Sequence, residues 1–138
     1  MAIELKGFAF SADANADLGT KQFHLVKIVG DYKIDVCDAL GDTPCGILQN
    51  QPKQGGAAEV VTYGISKAVV GEDPVTAGMK VTTDTEGTIV EASEGDFTIG
   101  QVIIGAGAGE VASVLIDCAV PVEVTKVEEI EEEIEGGN

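Results

Sequence analysis

The chain has 138 residues, 44% of them apolar but only 4% aromatic and none tryptophan; eight lysines, no arginine and 24 acidic residues set a formal charge of −16. That length fits one domain with a modest core built mainly from Val, Ile, Leu and Ala. The charge argues against nucleic acid as a partner, since affinity for phosphate backbones rests on clustered Lys and Arg, and the chain shows neither an apolar run of membrane-spanning length nor the basic and apolar regions of an export signal.

In chain order, the first segment is MAIELKGFAFSADANADLG, in which Ile3, Leu5, Phe8 and Phe10 carry half of the chain's phenylalanines. Residues 1–22 read as an N-terminal arm or an edge strand with no counterpart later in the chain. Such a segment either completes its own sheet or pairs with a neighbouring molecule, and those four apolar residues are the candidate partner contacts. Asp13, Asn15 and Asp17 match the first three ligand positions of a calcium loop. Leu18, however, stands where a glycine must turn the chain, and His24 where a bidentate glutamate is needed. An Asx-rich loop leading into the next strand is the expected structure.

Residues 23–121 read as a β domain built by internal duplication, with pseudo-repeats at about 25–70 and 79–120. At an offset of 54, Val36, Gly41, Asp42 and Gly46 in VCDALGDTPCG match Val90, Gly95, Asp96 and Gly100 in VEASEGDFTIG. At an offset of 51, Gly56, Ala57, Glu59, Val60 and Ile65 match Gly107, Ala108, Glu110, Val111 and Ile116, which implies a connection three residues shorter in the second copy. Each copy reads as a strand, a turn around Gly30-Asp31 or Glu86-Gly87, a strand, a Gly-Asp turn, a short strand, a small-residue turn and a closing strand. Eighteen glycines clustered at turn spacing fit a small all-β barrel better than a helical protein.

The turn GAGAGEV, residues 105–111, resembles a nucleotide-binding loop, but Glu110 occupies the place of the third glycine and would repel a phosphate. The residues that follow, VASVLID, alternate with a period of two, so a strand and not a helix is expected. No Gly-Lys-Ser/Thr occurs for a Walker loop. If Val61, Tyr63 and Ile65, with Ala112, Val114 and Ile116, form the core face, then Glu59 and Glu110 both point to that side at a strand edge, where they can cap turns. As an acid and base pair they lack a nucleophile, an orienting group and a reason for their pKa values to differ.

Cys37, Cys45 and Cys118 form no CxxC pair, and their odd number argues against a closed disulfide framework, as in a reducing cytoplasm. Cys45 aligns with Ile99 and is expected in the core, whereas Cys37 aligns with Glu91 and is expected nearer solvent. With His24 the only histidine, a zinc site would need distant singletons; no metal, cofactor or catalytic residue is expected. Residues 122–138 read as an acidic tail, whose seven glutamates and one lysine contribute −6. Val127, Ile130 and Ile134 have helical spacing, but the crowded glutamates repel one another, and a mostly disordered segment is expected.

From about Leu25 to Val120 the chain resembles the small capsid decoration, or cement, proteins of tailed bacteriophages. The resemblance lies in the order of its elements within PCGILQNQPKQGGAAEVVTYGISKAVVGEDPVTAGMKVTTDTEGTIVEASEGDFTIGQVIIGAGAGEVASVLIDCAV: a Gly-Ile segment with a small-residue turn, a second Gly-Ile strand, a Val-Thr-Ala-Gly link, a hairpin and a final Gly/Ala turn into Glu-Val. It implies a non-enzymatic module, sometimes called a β-tulip, that binds the outside of an icosahedral shell and reinforces it against internal DNA pressure. Its expected partner is a major capsid protein, its expected state a homo-oligomer with a trimer favoured, and its location the virion exterior after synthesis in the host cytoplasm. The alternative from another class is a small carbohydrate- or surface-binding β module, which exposed aromatics would favour because sugars stack on aromatic faces.

Overall fold

The computed structural model describes residue 2, residues 5–119 and residues 122–124, so Ile3 and most of the acidic tail lie outside the described residues. Those residues form eleven strands and no helix: β1 (Leu5–Ala14), β2 (Leu25–Gly30), β3 (Lys33–Val36), β4 (Gly46–Leu48), β5 (Ala57–Val69), β6 (Lys80–Thr83), β7 (Ile89–Glu91), β8 (Phe97–Thr98), β9 (Gly100–Ile104), β10 (Val111–Asp117) and β11 (Val122–Glu123). This is the all-β, barrel-like domain that the glycine spacing and the period of two predict.

Nine strands form one sheet in the order β1-β3-β2-β4-β5-β10-β9-β6-β7, and β1 also pairs with β5. The first five strands therefore close on themselves as a small ring. Its seam is the parallel pairing of Asp13 with Lys33 and Ala14 with Ile34. A second ring runs through the end of β5, β10, β9, β6 and β7, and a parallel bridge from Val70 to Ile89 returns it to the end of β5. The two seams correspond, because Ile34 and Ile89 hold the same place in their β-hairpins. The first half of β5 is thus the last strand of the first ring, and its second half closes the second ring as β1 closes the first.

Two readings from sequence are corrected here. The N-terminal segment does have a counterpart, the second half of β5, and residues 5–14 are not a free arm: β1 pairs with β5 along its length and with β3 only at Asp13 and Ala14, so over residues 5–12 it is an edge strand of its own sheet, one of the two alternatives read from sequence. The offset of 51 is a three-residue slip. A Cβ on Gly46 would lie 2.4 Å from the carbonyl oxygen of Val61, and one on Gly100 would lie 2.2 Å from that of Leu115, so the close approach recurs at an offset of 54. The pairings of Asp13 with Ala57 and of Val69 with Val111 keep the same register. In a stretch of Gly, Ala, Glu and Val the slipped alignment looks as good as the true one; only the glycine contacts fix the register.

Each Gly-Asp turn is built alike. Gly41 and Gly95 take φ of +86° and +91°, a region that L side chains avoid. The Asp42 carboxylate accepts the Ala39 amide (3.0 Å), and the Asp96 carboxylate accepts the Ser93 amide (2.7 Å). Val122 and Glu123, counted with the tail from sequence, pair with Thr98 and Phe97.

Two apolar clusters fill the rings. Ala12, Ala14, Leu18, Val26, Ile34, Leu48, Ala58 and Val60 line the first. The second gathers Val81, Ile89, Ile99, Val102, Ala112, Val114 and Ile116 around Ala68 and Val70, together with Leu25, Ile47 and Val61 from the outward faces of first-ring strands. On β10 the core face is as expected, and so is the buried Val61 on β5, but beyond it the faces of β5 are reversed. Ala112, Val114 and Ile116 stand opposite Ala68, Ser66 and Gly64, and directly opposed residues share a face, so Tyr63 turns outward and is 52% exposed. Cys37 and Cys45 are reversed too: Cys37 is fully buried and Cys45 only partly, because the Cys37 amide donates to Leu25 and draws that residue under the sheet.

Candidate docking surface

None of the six aromatic side chains is buried in the core: Phe8, Tyr32, Tyr63 and Phe97 are exposed, and Phe10 and Phe23 are half-buried. Rings of this size dominate the energetics of most cores and interfaces. Their placement at the surface is the first sign of a binding face.

Three of them converge at the mouth of the first ring. Alternation along β1 turns Phe8, Phe10, Ala12 and Ala14 toward its interior. Ala14 and Ala12 are buried at depth, Phe10 is half-buried and Phe8 is 60% exposed at the rim. Ile28 on β2, paired with the fully buried Ile34 on β3, adds a second wall, and Tyr32 at the β2–β3 turn adds a third. These side chains and Lys33 line an open apolar basin of about 340 Å³. Lys33 is the one charged residue among them, on a chain of charge −16.

Of the four contacts expected from sequence, the structure thus brings Phe8 and Phe10 together. Leu5 is placed only through its backbone, opposite Ile65, and Ile3 is outside the described residues. Ile28 and Tyr32 were missed. Their signal in the sequence was a bulky Tyr inside a Gly-Asp-Tyr-Lys turn, where small residues are usual.

The other candidates have structural work. Glu110 accepts the Gly107 amide at 3.0 Å and so caps the GAGAGEV turn. Glu59 is exposed on β5 and, at the true register, corresponds to Ser113 and not to Glu110. Asp17 caps the Gly19 amide (2.9 Å), Asn15 donates to Asp35 (3.3 Å), and Leu18 is buried in the first ring, which describes an Asx-rich loop. Among the described residues no three His, Cys, Asp or Glu side chains converge as a metal set. Burial pushes the Cys37 and Cys118 thiols up to about 12 and the Cys45 thiol up to about 11, so none is a ready nucleophile at neutral pH. Lys27 bridges Asp38 (2.6 Å) and Asp42 (3.0 Å) and is held protonated by them.

No protein-family model matches the sequence, and neither does any of the curated proteins. Among solved structures, the chain is similar to the N base of the head fiber protein gp8.5 of bacteriophage phi29: the TM-score is 0.63 and the identity 19%, over 84% of this chain and 98% of that one.

Proposed function

We propose that this chain is a structural virion protein that binds the outer surface of a phage capsid and stabilises the shell, not an enzyme. The observation that carries the reading is the shared architecture with a phage head fiber base, which spans nearly all of that structure. The chemistry is compatible: turn-capping carboxylates and two closed rings make a rigid body, and the face carrying Phe8 and Phe10 offers apolar contact without a catalytic cluster. The partner is the major capsid protein, met on the virion exterior after synthesis in the host cytoplasm. Residues 5–14 do not act as a free arm, since their strand pairs with β5 along its length, but the edge of residues 5–12 away from β5 pairs with no other strand of the sheet. A small symmetric oligomer, most simply a trimer, multiplies a modest affinity for a symmetric lattice through effective concentration.

The test is sedimentation of purified protein with undecorated capsids assembled from the major capsid protein of the same phage. Saturable, stoichiometric binding that tolerates moderate salt is expected, and Phe8→Ala with Phe10→Ala weakens it. Protein that stays in the supernatant at every concentration rejects the reading.

One observation favours the carbohydrate-binding alternative: Tyr32 and Phe8 present exposed rings at a concave rim. The lining, however, supplies a single Lys and no carboxylate or amide side chain to bond sugar hydroxyls. A clear signal on a glycan array, with no capsid binding, would reverse the order.

A further inference from the structure

Among the described residues, two other than glycine take the left-handed region of backbone space, Phe23 with φ of 64° and Tyr32 with φ of 54°. For a bulky residue that conformation is strained and persists only where the surroundings impose it. Phe23 has a packing reason. Its amide donates to Leu48, its carbonyl accepts the Val69 amide, its side chain packs against the larger core cluster, and the Lys67 ammonium lies 5.6 Å from its ring centre. Tyr32 has none of comparable kind, because its side chain is 77% exposed. What holds its backbone is the Asp13 amide, which donates to the Tyr32 carbonyl at 2.8 Å and ties the turn to β1. Glycine would meet that backbone demand without strain. The turn therefore holds a large aromatic side chain in solvent at a conformational cost, beside an apolar basin already open to solvent.

We infer that Tyr32 is the anchor of the capsid contact, and that the basin behind it receives an apolar side chain projecting from an uncharged or basic face of a capsid subunit. The inference rests on the capsid reading above and adds the contact residue and the chemistry of the occupant. Charge decides between occupants. The lining carries Lys33 and no carboxylate, although the chain as a whole carries −16. Two copies joined basin to basin would set Lys33 against Lys33 across the contact. An uncharged partner face avoids that like-charge pairing, and a basic one, away from Lys33, is drawn to the net acidic body. Within such a contact an aromatic at the rim, flanked by Phe8 and Ile28, has the composition and surroundings of an interface hot spot.

The test separates binding from folding. Tyr32→Gly keeps the carbonyl that Asp13 uses and relieves the backbone, so its melting temperature should equal the wild type's or exceed it by a few degrees. Its affinity for the same capsids should fall by about tenfold or more, while Tyr32→Phe, which keeps the ring, binds within about threefold. Leu115→Ala, on the separate concavity lined by Lys80, Gln101 and Asp117, serves as the control and should bind normally. Wild-type protein that binds capsids together with a Tyr32→Gly variant that binds equally overturns the inference and leaves the capsid reading standing. Wild-type protein that does not bind at all overturns both. A change in the oligomeric state of free Tyr32→Gly would make the occupant a second copy, and loss of binding in Leu115→Ala alone would move the contact to that other concavity; either result overturns the inference.

Discussion

Gly46 and Gly100 fix the register of both copies because the neighbouring strand's carbonyl stands where a Cβ would be, 2.4 Å away in one case and 2.2 Å in the other. Gly41 and Gly95 differ in kind. Nothing lies within 4 Å of their absent Cβ atoms, and only a positive φ excludes other residues. We therefore expect Gly46→Ala and Gly100→Ala to cost at least about 2 kcal/mol each, since backbone must move. Gly41→Ala and Gly95→Ala should cost about 1 kcal/mol each, the strain of a left-handed alanine. Urea unfolding at constant slope reads the difference, and equal losses at all four sites would contradict it. His24 gives a second prediction at this scale. Burial disfavours its charged form, and its pKa is lowered from 6.5 despite the acceptor offered by the Gln22 carbonyl. Just below pH 6.5 the unfolded chain then binds more protons than the native one. This contribution to stability is complete above that pH and is lost as pH falls through the folded value. His24→Gln should remove that part of the slope, so midpoints that fall in parallel for both proteins between about pH 7 and 5 would show that His24 contributes nothing.

Among the elements, β11 ties the last described residues to the body. Val122 and Glu123 pair with β8, the Gly95 amide donates to the Val124 carbonyl at 3.2 Å, and the Val124 amide donates to Asp96 at 2.9 Å. A chain ending at Val124 should melt within about 2 °C of the full length, because it keeps every one of these bonds. One ending at Pro121 should lose hydrogen-exchange protection at Gly95 and Val81's neighbours should stay protected, since the second ring's own ladder is untouched. Unchanged protection at Gly95 would show that β11 contributes nothing in solution. The two Gly-Asp turns were legible in the sequence because their chemistry is local: a glycine supplies the positive φ, and the next residue caps an amide three positions back. Ring closure was not legible, since Ala14 with Ile34 and Val70 with Ile89 are long-range pairs with no turn to announce them. The double role of β5 followed from that closure, and so did the reversal at Tyr63. Phe8 and Phe10 stood out as aromatics outside the repeats; Tyr32 and Ile28 joined them only when the hairpin folded over β1.

For the whole molecule the dominant quantity is its charge of −16. Like charges spread over a small body destabilise the compact state by self-repulsion, and dissolved salt screens that repulsion over a Debye length of about 10 Å at 0.1 M. Lys27, held between Asp38 and Asp42, offsets little of the total. Stability should therefore rise with ionic strength, by several degrees in melting temperature between about 10 mM and 300 mM NaCl, and equally in KCl because the effect is screening and not specific ion binding. Six glutamates and one lysine lie beyond Val124, so truncation there takes the charge from −16 to −11 and should shrink the rise. Capsid binding should respond differently. An apolar basin with Lys33 as its one charged lining residue forms few ion pairs, so salt that stabilises the free protein should leave its capsid affinity within about threefold. A melting temperature that is flat or falls with salt would mean that the carboxylates are locally compensated in ways their sum does not reveal. Affinity that collapses with salt would mean that the contact is made by charge, at a face other than the basin.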